Sequence, residues 1–112
     1  MDKKELADTQ SLIIRDFEIE KSPDEQLSEE ALFQLLADQI AYMIEYRLEF
    51  LLSLMYRMDI DERKVNKVLH PAAEDPANIG LAKLVWNRQQ QRAFTKKFYK
   101  QDQLDDLDGL EL

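Results

Sequence analysis

Residues 23–58 decide the fold, and they read PDEQLSEEALFQLLADQIAYMIEYRLEFLLSLMYRM. The stretch has no glycine, no proline after Pro23, and apolar residues at intervals of three and four. That spacing is typical of an amphipathic helix. Ser22 supplies an N-cap directly before the first-turn proline, and Ser28 is an alternative start. We predict one long helix over 23–58.

The predicted helix has a polar and an apolar face. At 100° per residue, the polar face holds Glu30, Gln34, Asp38, Tyr42, Glu45, Glu49, Ser53 and Tyr56. The apolar face holds Leu32, Leu36, Ile40, Met43, Ile44, Phe50, Leu51, Leu54 and Met58. From Leu48 onward apolar residues occur on nearly every side, so this half is expected to be the most buried.

The length of this helix predicts self-association. A straight helix over 23–58 would be roughly 50 Å long, whereas a compact chain of this size has a radius of gyration of about 13 Å. Few apolar residues follow Ala93 in the last predicted helix, so it cannot cover the whole apolar face. We therefore expect a homodimer whose contact face is formed by Leu32, Leu36, Ile40, Met43 and Ile44.

Capping patterns divide the rest of the chain. Asp59 with Glu62 resembles a capping box and predicts a connector helix over 60–70, and Asp75-Pro76 predicts a return helix over 76–101. Residues 1–21 fit either a helical face or, at 17–20, a strand-like alternation. We favour a short helix, because a lone strand would have no partner.

The fold class that follows is all-α, an elongated antiparallel helical hairpin or bundle. A single helical domain would occupy 1–101, with 1–21 its least defined part, and 102–112 would form a flexible acidic tail. The tail alternates acids with leucines, which is typical of segments that are disordered alone or dock as short motifs.

Composition favours a small protein of the cytoplasm. The 112 residues carry a formal net charge of −8 and contain no cysteine. The charge argues against general affinity for nucleic acids or anionic membranes. The most apolar region, 31–58, is interrupted by charges, so we expect no membrane span. We expect a reducing compartment and a cytoplasmic location.

Arg47 is the unusual residue of the long helix, because it falls among Met43, Ile44, Leu51 and Leu54 on the apolar face. An unpaired buried guanidinium costs several kcal/mol. We expect a buried ion pair, with Glu62, Glu74 and Asp75 as candidate partners. An anion-binding site, or helix curvature that carries Arg47 to the surface, remain as alternatives.

The return helix is basic, since residues 79–101 contain six bases and no acid. Aromatic residues lie among these bases, which is one pattern of nucleic-acid binding. The candidate contacts, for a polyanion or an acidic partner, are Arg88, Arg92, Lys96 and Lys97. The simpler interpretation is that the helix lies against an acidic face.

The sequence contains no motif that specifies a chemistry. His70 is the single histidine, no phosphate-binding glycine loop is present, and no metal-ligand spacing occurs. We expect no enzyme activity, no cofactor and no metal. The predicted function is a non-enzymatic, self-associating protein–protein interaction module. The alternative is a nucleic-acid-associated regulator that uses the basic 83–100 helix, with the acidic tail masking it.

Overall fold

A computed structural model describes residues 3–20 and 27–110, with side chains through Thr95. This part of the chain is helical, without strands, so the all-α prediction is confirmed. The helices are α1 (Lys3–Asp16), α2 (Glu29–Tyr46), α3 (Leu48–Arg57), α4 (Glu62–Leu69) and α5 (Ala77–Leu110). Helix α5 packs against α1, α2 and α4, which makes it the centre of the bundle.

The prediction of one uninterrupted helix over 23–58 is wrong. Arg47 has φ −143° and ψ 44°, outside helical values, and separates α2 from α3. The start at Pro23 lies outside the described residues, whereas the alternative start is confirmed: Ser28 Oγ accepts the N–H of Ala31 at 3.1 Å. No proline or glycine lies at the break, so its cause is tertiary packing rather than local sequence.

The two predicted faces survive this break almost unchanged. Every residue of the predicted polar face is exposed, and Phe50 is the one exposed member of the predicted apolar face. Leu32, Leu36, Ile40 and Leu51 are fully buried. The 3.6-residue period therefore located the core correctly on both sides of the junction.

Helix α1 supplies the cover that the sequence seemed to lack. The short helix favoured for 1–21 is confirmed, and its Ile13 and Phe17 are 0% and 1% exposed. The helix ends in a Schellman motif, in which Ile19 N–H reaches the Ile14 carbonyl at 3.0 Å and Glu18 has φ 53°. That turn inserts Phe17 into the core beside α2 and α5.

Helices α2 and α5 run antiparallel, as predicted. Phe33 meets Trp86 edge-to-face with ring centroids 6.1 Å apart. Nearer the start of α5, Asn78 Nδ2 donates to the Ala37 carbonyl at 3.2 Å. In these two contacts the residue numbers fall along α5 as they rise along α2, which is the antiparallel arrangement. Helix α5 therefore packs along α2 within one chain.

The junction between α3 and α4 differs from the prediction in the residue that caps α4. Asp59 is not the N-cap of the connector helix: with φ 59° it is the left-handed residue that ends α3, where Ile60 N–H bonds to the Met55 carbonyl. Asp61 caps α4 instead, accepting the N–H of Arg63 at 2.9 Å. This hydrogen bond lowers the pKa of Asp61 below its ordinary value, with smaller contributions from the charges of Arg63 and Lys64.

Helix α5 is longer than predicted. It begins at Ala77 and continues to Leu110, so the backbone stays helical beyond the predicted end at Gln101. A helix of 34 residues is about 51 Å long. Residues 111–112 lie outside the described part of the chain.

Gly80 is required where α4 crosses α5. A Cβ at this position would overlap Val68 Cγ1 and lie 3.4 Å from Val68 Cβ. We expect Gly80→Ala to lower the free energy of unfolding by about 1–2 kcal/mol, because overpacking exceeds the helix-propensity gain. In a Val68→Ala background the same change should instead stabilise by about 1 kcal/mol. Urea unfolding of the four chains measures both values, and equal effects in both backgrounds would contradict the contact.

The cap of α4 gives stability a pH dependence. Because the folded pKa of Asp61 is lowered, its contribution is complete above the unfolded pKa and is lost as the pH falls through the folded value. We expect Asp61→Asn, which keeps the cap acceptor without the charge, to lose less stability than the wild type below about pH 4. Urea unfolding between pH 6 and acid pH tests this, and identical slopes for both proteins would refute it.

Candidate interaction surface

The α2–α3 junction exposes an unusual run of side chains. All six residues from Glu45 to Phe50 are exposed, although an amphipathic helix normally buries one residue in every three or four. Tyr46 is 66%, Leu48 40% and Phe50 37% exposed. The expectation that the chain is most buried from Leu48 onward is therefore wrong at its first turn.

Two groups of exposed aromatic and arginine side chains lie at the junction. The Arg47 guanidinium lies 4.3 Å from the centroid of the Phe50 ring, and that of Arg57 lies 5.9 Å from it. Tyr42 and Tyr46 contact each other at 5.0 Å between centroids. We use the name junction surface for these two groups and the other exposed residues of the junction; it comprises Tyr42, Glu45, Tyr46, Arg47, Leu48, Glu49, Phe50 and Arg57.

The structure corrects the prediction for Arg47. The residue is exposed rather than buried, because the break at its own backbone turns the side chain out of the apolar face. Its proposed partners are placed elsewhere: Glu62 accepts the Tyr56 hydroxyl at 3.0 Å, and Asp75 pairs with Lys83 at 2.8 Å. The Glu62 hydrogen bond, followed by the charge of Glu62, raises the pKa of Tyr56.

The junction surface also carries opposite charges that form no ion pair with the side chains that the structure describes. It holds two cations, Arg47 and Arg57, and two anions, Glu45 and Glu49. Within residues 3–20 and 27–95, none of these four groups forms an ion pair. Opposite charges on one face make that face electrically compatible with a copy of itself.

The predicted dimer face is not available in the folded chain. Leu32, Leu36 and Ile40 are 0% exposed and Met43 is 1% exposed, while Ile44 is only partly exposed. They belong to one buried core together with residues of α1 and α5 of the same chain. In the single chain this face is therefore not free for a partner, because the sequence did not indicate that α1 would complete the core.

The predicted cationic contacts on α5 are largely committed to the fold. Arg88 Nε donates to the Met58 carbonyl at 2.6 Å, which satisfies the C-terminal end of α3. Arg92 Nη1 donates to Asp16 at 3.3 Å and to Gln89 at 3.0 Å. The side chains of Lys96 and Lys97 lie outside the described set. Two of the four proposed contacts thus have internal structural partners.

Asp16 is the centre of the polar network that joins α1 to α5. Its Oδ2 accepts from Gln89 Nε2 at 2.7 Å and from Arg92, while its Oδ1 accepts from Arg15 Nε at 3.0 Å. Gln89 is completely buried. A buried amide must be hydrogen-bonded, so Asp16 sets the register of α1 on α5.

The described chain offers one further concave surface of interest, between α2 and α5. This groove has a volume of about 610 Å³ and is lined by Glu29, Glu30, Phe33, Lys83, Trp86 and Asn87. Among the described residues, no three potential ligands from histidine, cysteine, aspartate and glutamate are grouped as a metal site would require. Nor does this part of the chain contain a helix long and apolar enough to cross a membrane.

Sequence reasoning missed the junction surface, although part of it was visible. Tyr42 lies on the predicted polar face, where an aromatic residue is unusual. The position of Phe50, by contrast, follows from the break at Arg47, and no residue type announces that break. The exposure of Tyr42 could thus be predicted from the local sequence, whereas the exposure of Phe50 depends on the tertiary structure.

Comparison with known proteins adds no relative to this description. The chain matches no family model, and no curated protein or solved structure is significantly similar to it. The function must therefore be inferred from the molecule's own surface.

The Asp16 network can be tested by removing its acceptor. We expect Asp16→Ala to lower the free energy of unfolding by about 2–3 kcal/mol, because the buried Gln89 amide loses its partner. The matched control is Arg15→Ala, which removes a pair whose arginine side chain is 65% exposed and should cost under about 1 kcal/mol. Urea unfolding gives both values, and equal losses would show that Asp16 does not hold Gln89.

Proposed function

We propose that this protein is a small, non-enzymatic interaction module that associates with a second copy of itself through the junction surface. The observation that carries the proposal is the run of six exposed residues, 45–50, with three large apolar side chains among them. Monomeric soluble proteins rarely leave such side chains grouped on the surface without a binding role. The cysteine-free sequence supports a cytoplasmic setting for this association.

The residue types of this surface suit a protein contact. Tyrosine, phenylalanine and arginine are enriched in the cores of protein–protein interfaces and among their energetic hot spots. Arg47 and Arg57 already lie near the Phe50 ring, so their planar groups can remain on the aromatic ring while meeting a carboxylate.

The charges favour a second copy as the occupant. In a two-fold symmetric interface each patch meets the same patch, so every cation needs an anion elsewhere on that patch. The junction surface provides this balance with two arginines and two glutamates. A strongly acidic partner would place like charge against the two glutamates, and a strongly basic partner would place like charge against the two arginines.

Light scattering and sedimentation across protein concentration test the association. We expect Tyr46→Ser and Phe50→Ser each to raise the dimer dissociation constant by at least about tenfold, the effect of a hot-spot residue. Phe94→Ser is the matched control, because Phe94 is 56% exposed on α5 and lies off the junction surface. Its dissociation constant should stay within about twofold of the wild type.

Reversing the charges of the junction surface tests whether two copies pair through it. A chain with Arg47→Glu and Arg57→Glu, and another with Glu45→Arg and Glu49→Arg, should each repel its own kind. Mixed together, the two should form a heterodimer. A wild type that stays monomeric at millimolar concentration, or charge variants that fail to pair, would refute the proposal.

A further inference from the structure

Arg47 interrupts a helix that the local sequence does not interrupt. Residues 29–57 contain neither proline nor glycine, and arginine is a good helix former. Yet the φ and ψ of Arg47, −143° and 44°, each differ from helical values by roughly 80°. One residue therefore holds the whole departure from a continuous helix.

The break leaves backbone groups that a straight helix would pair. Helical bonding continues to Arg47, whose N–H reaches the Met43 carbonyl at 2.7 Å, and it resumes when Leu51 N–H reaches the Arg47 carbonyl at 3.0 Å. Between these bonds, the N–H groups of Leu48, Glu49 and Phe50 lie in the first turn of α3, where no intrahelical acceptor is available. If α2 and α3 formed one straight helix, these N–H groups would donate to the carbonyls of residues 44–46.

Straightening is incompatible with the packing of a single chain. It would produce a helix over 29–57 about 43 Å long, and it would carry α3 away from its present position. If α3, α4 and α5 move together, the Arg88 bond to Met58 is kept, but the contacts of α5 with α2 are broken. These contacts can reform without loss if the moving half packs on the α2 of another copy.

We infer that Arg47 is the hinge of a domain-swapped dimer, in which α2 and α3 join into one helix and α4 and α5 pack on the α1 and α2 of a second copy. The contacts of α5 with α1 and α2 are kept, with their two sides now on different chains, while the contacts among α3, α4 and α5 stay within one chain. The exposed residues 45–50 of the two copies come together at the crossing point. This inference rests on the proposed self-association and specifies how it is achieved.

Two substitutions at the hinge separate its backbone role from its charge. Arg47→Ala and Arg47→Gly both remove the guanidinium, but alanine favours a continuous helix and glycine disfavours it. The difference corresponds to about fivefold per helix, and hence about 25-fold per dimer, which has two hinges. We expect Arg47→Ala to dimerise about 25-fold more tightly than Arg47→Gly in sedimentation equilibrium. Equal dissociation constants would overturn the inference.

A cross-link then identifies which chains are in contact. Glu30 and Asn87 are exposed residues on the same groove between α2 and α5, and the chain has no other thiol once each is changed to cysteine. Chains carrying Arg47→Ala with either Glu30→Cys or Asn87→Cys are refolded together and treated with a short bismaleimide. The exchanged dimer yields a covalent pair, in which Glu30→Cys is linked to Asn87→Cys.

The control is a single chain with Arg47→Gly, Glu30→Cys and Asn87→Cys, which should cross-link within itself and remain a monomer on a denaturing gel. A dimer in which the mixed single-cysteine chains do not cross-link would overturn the exchange while leaving the proposed self-association intact. A protein that is monomeric with every residue tested at position 47 would overturn both.

Discussion

The constraint on which this structure depends is the need to cover the inner face of α2. Its four fully or nearly buried large residues form a continuous apolar strip, and leaving such a strip in water would cost about 1.5–3 kcal/mol for each side chain. Two helices cover it from the same chain. Helix α5 lies antiparallel along it, and α1 closes the remaining side with Ile13 and Phe17.

Covering that face determines where the polar groups of the bundle must go. Because α1 and α5 approach closely, Gln89 becomes buried and requires Asp16, and Asp16 in turn orients Arg92. Arg88 is drawn to the free carbonyl end of α3. The basic character of α5 is therefore partly an internal feature of the fold, which weakens the case for a nucleic-acid surface at these two arginines.

Because the inner face of α2 is covered within one chain, the apolar surface that is left for partners lies elsewhere on the molecule. The inner face, which the sequence pattern favours as a dimer contact, is occupied, and the exposed apolar groups are found at the α2–α3 junction. The same junction holds the only irregular residue between Glu29 and Arg57. Surface chemistry and backbone irregularity thus coincide, and both the proposed contact and the proposed exchange are built on that coincidence.

Local sequence is enough to predict the helical class, the two faces of α2 and α3, and the approximate places where helices start. These follow from the 3.6-residue period and from short-range capping, as Ser28 illustrates. Three features emerge only in the folded chain: Phe17 completes the core, Asp61 rather than Asp59 caps α4, and the helix breaks at Arg47. Each of these choices depends on residues distant in sequence or on competition between adjacent motifs, and periodicity and local preference contain no information about either.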